Sequence, residues 1–350
     1  MSMSVKSLKR IFKARGMGQV LTVSAGLVVL CVVFSIVNPA FFSEQNIFNL
    51  LRQITPILII GIAQSYVLIT GNIDLSIGSV LGMSCMISAT LMSKYAVFPV
   101  FAAGVAIMAC LTIGVFNGVI VSKFRLPPFI ATLGTMTIAR GIAQIVNNNY
   151  NTDSINKLID AQGFQNLFYY GKTLGLYNGI WIAIVLWTIF NFYLSRTRSG
   201  RHIYAVGSNR EAARLSGVNI NLTIIKAYVI SSFCAGVAGL MACASVGMGA
   251  MDSGTMYELY AVAASVIGGV STLGGQGILL GTVIGAAIWG VLQNGLQFAG
   301  APVALRNIIV GIIVILSILI DVLIRTGRKT KKADIDKTES GFAENPTDGA

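Results

Sequence analysis

Apolar runs about as long as a bilayer is thick recur along this chain, and no other feature restricts its fold so tightly. Stretches 20–37, 97–121, 222–245 and 308–324 are each almost wholly apolar. A helix needs roughly 20 apolar residues to cross the hydrocarbon core. Backbone N–H and C=O groups find no water there, so only helices or closed barrels span it, and runs this long select helices. A mean hydropathy of +0.76 with only 11% charged residues excludes an ordinary soluble domain. The expected fold is therefore an all-α polytopic membrane protein.

Taken in order, the pattern predicts about ten transmembrane helices: 20–37, 54–70, 77–92, 97–121, 128–146, 180–194, 222–245, 257–268, 277–298 and 308–324. The basic residues Lys6, Lys9, Arg10, Lys13 and Arg15 precede the first run. That run is too long for the core of a signal peptide and no small-residue cleavage site follows, so it reads as a retained span. Stretch 38–49 reads as an external interfacial segment, and 147–178, rich in Asn, Tyr and Gly, as the longest external loop. Three regions follow: a basic N-terminus (1–19), a membrane domain (20–324) containing the loop 196–221, and a polar tail (325–350) expected to be disordered.

Charge orients these spans. Both termini, Lys123, Arg125 and the loop with Arg196, Arg198, Arg201, Arg210 and Arg214 fall on one side, whereas the other side holds Arg52, Lys94, Lys157, Lys172 and Arg306. The richer side is cytoplasmic by the positive-inside rule, which places both termini in the cytoplasm. The net charge of +12 does not point to nucleic acid, because it collects at span ends without a nucleic-acid motif. The five cysteines lie in apolar segments without metal-site spacing and read as small core residues.

Two polar interruptions stand out. The loop 196–221 contains a predicted short helix over 208–215: Ser208 or Asn209 caps it, Glu211 sits in its first turn, Ala212 and Ala213 favour helix, and Gly217 ends it. With Arg210, Arg214 and Leu215 it forms a surface suited to being held by another protein. The second interruption, Gly71-Asn72-Ile73-Asp74-Leu75-Ser76, breaks the apolar pattern between the second and third spans. A similar acidic break at 252–254 follows the seventh span, so spans two to five and seven to ten read as an inverted repeat with broken helices.

Stretch 71–79, GNIDLSIGS, resembles the G-x-I-D-L-S-x-G-S signature of the permease subunits of bacterial ABC importers for monosaccharides, the ribose, xylose and galactose group. Stretch 207–218, GSNREAARLSGV, is similar to their cytoplasmic loop, whose coupling helix sits in a groove of the ATPase. Stretches 128–135 and 267–277 resemble further family motifs, and the likeness covers about 38–321. It implies a multi-pass protein of the bacterial inner membrane that works with an ABC ATPase subunit, a periplasmic or extracellular sugar-binding protein and a second permease chain. ATP and Mg are expected on the ATPase partner, and no cofactor on this chain. Consistent with this, Gly171-Lys172-Thr173 lacks the first glycine of a phosphate-binding loop, Asn166 standing in its place.

Polar groups inside apolar spans are costly and are the candidates for the translocation pathway: Gln64, Asn72, Asp74, Ser76, Asn117, Arg140, Gln144, Asn294 and Gln297. For Asp74 and Ser76 the plainer role is capping the third span; for Arg140 it is an ion pair or snorkelling. The pairs Gly78/Gly82 and Gly114/Gly118 and the series Gly277, Gly281 and Gly285 have the spacing of close helix packing. Methionines and aromatics in the spans read as lipid-facing or packing residues, and Asp321 as a helix partner of Arg325. Two other functions compete, an ion-coupled secondary transporter and an intramembrane enzyme. The enzyme lacks paired acids or a base beside a nucleophile, His202 being alone in its loop.

Overall fold

A computed structural model describes residues 17–323 except 310 and 320; the expectations for 1–16 and the tail lie outside the described residues. The chain is helical almost throughout. Its elements are α1 (Met17–Val37), α2 (Glu44–Ile69), α3 (Ile77–Ser93), α4 (Pro99–Ser122), α5 (Pro128–Ile145), a short α6 (Ile159–Gln165) and α7 (Asn178–Arg196). There follow α8 (Arg198–Ser208), α9 (Arg210–Leu215), α10 (Ile220–Val246), α11 (Tyr257–Ile267), α12 (Leu279–Phe298) and α13 (Val303–Leu323). One small hairpin, Lys172–Thr173 with Leu176–Tyr177, closes the loop before α7.

Seven of these helices, α1, α2, α4, α7, α10, α12 and α13, are long and apolar enough to cross a membrane. The chain is thus an all-α polytopic membrane protein. Expected spans three, five and eight differ for physical reasons. Helix α5 has the length but carries Arg140 and Gln144, whereas α3 and α11 are short. Both short helices lie inside the bundle: α3 is buried along nearly its whole length, and α11 from Ala261 to Val266. A helix wrapped in protein meets little lipid and needs no continuous apolar surface for it.

Two long helices organise the packing. Helix α10 lies against α3 and α4, α2 lies against α11 and α12, and α2 and α10 pack on each other. Each long helix thus packs on the helices that follow its counterpart. Small residues allow these approaches. A Cβ on Gly114 or Gly118 would run into Tyr228 and Ser232 or Ile225 of α10. On Gly281 or Gly285 it would strike the backbone at Gly268 or Ala264, and on Gly78 or Gly82 the backbone at Gly254 or Ser253. Gly277 departs from its expected place: it precedes α12, and its φ of +146° packs against Val270. The outer helices α1 and α13 show mostly exposed apolar faces, as lipid-facing helices do.

The connections hold more structure than expected. Helix α2 begins at Glu44, capped by the Ser43 hydroxyl, which accepts from Asn46 N, so the stretch taken as an interfacial segment is largely helix. The long loop at 147–178 contains α6, a tight 3-10 turn at Ile155–Lys157, a wider π-helical turn at Asn166–Tyr170 and the hairpin. Asp321 accepts from the backbone N and the hydroxyl of Thr272 at 3.2 and 3.1 Å, fixing α13 to the loop before α12; Arg325 lies outside the described residues.

Candidate functional site

Two polar regions occupy opposite ends of the bundle. The first is built on α8 and α9. The Thr197 hydroxyl caps α8 by accepting from Gly200 N, and Ile203 and Val206 turn inward. Helix α8 runs through Ser208, so Ser208 ends one helix instead of starting the next. Asn209 alone caps α9: its backbone is extended (φ −159°, ψ 108°) and its Oδ1 accepts from Ala212 N at 3.0 Å. Gly217, at φ +78°, lets the chain turn away, in the left-handed region that glycine tolerates without strain.

Of α9 only Ala213 is buried. Arg210, Glu211, Ala212, Arg214 and Leu215 face outward, and Leu215 is 79% exposed, an apolar side chain with nothing of this chain over it. Arg214 donates to Glu211 and holds its carboxyl below the usual carboxylate range.

The corner formed by α8 and this exposed helix is tied to the interior at three points. Arg210 Nη2 donates to Asn72 Oδ1 at 2.8 Å, and Asn72 Nδ2 donates to the Thr70 hydroxyl at 2.7 Å. The backbone of Gly207 lies against the Ile69 carbonyl, and Gly275 N donates to that same carbonyl at 2.8 Å. Tyr204 OH donates to Gly277 O at 2.6 Å, and burial pushes its hydroxyl pKa up to about 12, so it stays a donor at neutral pH. The end of α2, the glycine loop 268–277 and the α8–α9 corner thus meet backbone to backbone.

From Asn72 the chain enters a buried polar cluster. Asp74, fully buried, accepts from Ser76 N (2.9 Å), the Ser76 hydroxyl (2.6 Å) and the Ser231 hydroxyl of α10 (2.7 Å). Asn117 of α4 donates to Ser76 Oγ at 3.0 Å and accepts from Thr135 of α5 at 2.7 Å. Tyr228 OH donates to Ile73 O. Four helices therefore share one network at the α2–α3 break. Ser76 stands at the cap position of α3 but makes no side-chain capping bond; its hydroxyl serves Asp74 instead, and Asp74 closes an Asx-type turn.

The other candidate pathway residues do not join this cluster. Arg140 Nη1 donates to the Met251 and Ser253 carbonyls at 3.0 and 2.8 Å, stapling α5 to the turn before α11, so two carbonyls hold it in place of the expected carboxylate. Gln144 is exposed. Asn294 exchanges hydrogen bonds with Asn46 at 2.9 and 3.1 Å. Gln64 is fully buried in α2, and neither of its amide atoms has a partner.

The second region is a cavity of about 760 Å³ at the end opposite α9, between α2, α7, α10, α11 and α12. Its aromatic wall includes Tyr257, Tyr260 and Trp289, with Tyr260 and Trp289 ring centroids 5.1 Å apart. Gln53, Gln293 and Gln297 supply amides, and Arg52 and Arg306 supply charge. Of these, sequence reasoning had singled out Gln297 alone. The aromatics had read as packing residues, yet Trp289, although buried, lines this space. Arg52 and Arg306 carried the usable signal, since both fall on the charge-poor side of the pattern.

Comparison with known proteins completes the description. A profile of the family described as branched-chain amino acid transport system / permease component matches residues 46–318. The ribose import permease protein RbsC of Escherichia coli (strain K12) is 36% identical over 84% of this chain and 91% of its own length. The RbsC of Bacillus subtilis (strain 168) is 32% identical over 85% and 90%, and the galactose/methyl galactoside import permease protein MglC of Escherichia coli (strain K12) 33% over 85% and 92%. No solved structure matches the chain.

Proposed function

The chain belongs to the family of these permease components, and from that premise we propose that it is the membrane subunit of an ATP-driven ABC importer, passing a monosaccharide received from an external binding protein. Relatives named for ribose, galactose and allose import align over 84–85% of the chain. The family description names branched-chain amino acids, but a cavity lined by three glutamines and two arginines suits a hydroxylated solute better than an aliphatic side chain.

In this reading the chain crosses the bacterial inner membrane ten times with both termini in the cytoplasm. Helix α9 faces the cytoplasm and the cavity faces outward. The crossed packing of α2 and α10 supports the inverted repeat. A second permease chain, identical or homologous, completes the pathway, and ATP and Mg bind the separate ATPase.

The single observation that carries the mechanism is the link from exposed α9 through Arg210 to Asn72, beside the shared carbonyl of Ile69. When the ATPase subunits close on nucleotide they displace α9. The rigid backbone contacts at Gly207 and Gly275 pass that displacement to the end of α2, and the Asp74 network carries it to α3, α4, α5 and α10. Such a step needs an interaction that differs between the two states, which ATPase closure supplies.

Bulky residues in place of Glu211 or Gly217 are expected to abolish uptake and ATPase stimulation while the chain still inserts. Normal sugar uptake by both variants refutes the role. Vanadate-insensitive uptake driven by an ion gradient instead establishes a secondary transporter.

A further inference from the structure

The outer cavity is lined by two arginines, and among the described residues no carboxylate forms a salt bridge with either. Trp289 is 1% exposed, lines the cavity, and its Nε1 has no partner. Arg52 and Arg306 line the same space, and the Nε of each is shielded from solvent and also unpartnered. Native structures pair nearly all such groups, and the exceptions need a reason. These three groups are donors only.

Carboxylates do not compensate them. Among the described residues the one ion pair is Glu211 with Arg214, at the opposite end. Asp252 also lines the cavity but is exposed and makes no salt bridge to either arginine. Arg52 is held in place without neutralisation: Nη2 donates to Asn49 Oδ1 at 2.6 Å, and the guanidinium lies 4.2 Å from the ring centroid of Tyr177 and 4.9 Å from that of Tyr169. Stacking of this kind pre-orients the planar fork that recognises carboxylate and phosphate groups.

A neutral sugar can exchange hydrogen bonds with the glutamine amides of the lining, but only an anion gains from two guanidinium charges that no carboxylate among the described residues pairs. An anionic group only accepts. The partly buried ring of Tyr260, backed by Trp289, can meanwhile take the C–H face of a sugar ring. We propose that the outer cavity is a transient seat for a sugar bearing a carboxylate or phosphate, its ring against Tyr260 and its anion between Arg52 and Arg306. This rests on the importer reading and narrows its substrate class to acidic sugars.

The test is a titration of the full chain in nanodiscs with glucuronate, glucose 6-phosphate, glucose and inorganic phosphate, read by ligand-observed NMR. At least one acidic sugar is expected to bind about tenfold more tightly than glucose at low salt, with the advantage shrinking at high salt as the charges are screened. Preference for glucuronate identifies the anion as a carboxylate, preference for glucose 6-phosphate as a phosphate. Arg52→Gln and Arg306→Gln should each remove most of the preference, Arg52→Lys and Arg306→Lys should retain part of it, and Tyr260→Ala should weaken acidic and neutral sugars alike. Glucose binding as tightly as both acids, binding of inorganic phosphate as tight as that of the sugars, or indifference to the arginine substitutions overturns the proposal. Capture of the ATPase subunit is scored on the same samples: lost acid preference with capture intact defeats only the proposal, whereas absent capture defeats the importer reading itself.

Discussion

Polar groups are buried at both ends of this bundle, but on opposite terms. At the α2–α3 break every oxygen of Asp74 is engaged, and donors come from a neighbouring turn and from α10. In the outer cavity Trp289, Arg52 and Arg306 keep donors without partners. A satisfied network is rigid and transmits displacement, because breaking any one bond strands a buried group. The cavity, lined by two arginines without a salt bridge, keeps charge that the fold does not use. In the proposed mechanism the contrast separates the part of the molecule that moves as a unit from the part that receives a solute.

The sharpest way to break the contrast is at Asp74. Asp74→Ala strands Ser76 N and the hydroxyls of Ser76 and Ser231, and should destabilise the detergent-solubilised protein by about 3 kcal/mol, seen as a lower thermal unfolding midpoint. Asp74→Asn keeps an acceptor oxygen and should cost less. Equal midpoints for Asp74→Ala and the parent would mean that the cluster is not a structural unit.

Arg210→Ala comes next. Arg210 is exposed, so stability should change by no more than about 1 kcal/mol, yet removing the link to Asn72 should lower ATP-driven uptake about tenfold with ATPase capture retained. Unchanged uptake would move the coupling route to the backbone contacts at Gly207. The smallest effect is expected at the cavity: Trp289→Phe breaks no hydrogen bond within the chain and should change stability by no more than about 1 kcal/mol, read as a small shift of the unfolding midpoint, because the volume is lost beside existing space. A large loss there would show that the cavity wall is load-carrying core.

What the sequence disclosed followed from how local each signal was. The break at 71–76, the Asn209 cap and the Gly217 stop are each written in a few adjacent residues, and the structure uses them nearly as read. Ser208 was misassigned because α8 was unseen: its apolar face rests on Ile203 and Val206 in a polar setting, too few residues to show a helical period. The early start of α2 was hidden by Glu44, Gln45, Asn46 and Asn49, polar residues that give no apolar run; Gln45, Asn46 and Asn49 lie with Asn294 around a small second pocket. The main cavity was beyond reach because its walls come from at least five separated stretches, and no spacing rule connects Arg52 with Trp289 or Arg306. The pathway list merged residues that the fold keeps apart: Asp74, Ser76 and Asn117 share one network, while Arg140 and Asn294 serve the opposite end.

The central claim is that α9 is a cytoplasmic knob held by an ATPase, at the opposite face from the cavity. Single substitutions Leu215→Cys and Leu174→Cys, at two exposed leucines from the two ends, can be probed with a membrane-impermeant maleimide. Label should reach the residue-215 variant only in inside-out vesicles, with added ATPase subunit protecting it, and the residue-174 variant only from the cell exterior. Labelling at position 215 from outside, or labelling from inside that the ATPase subunit leaves untouched, would contradict the account.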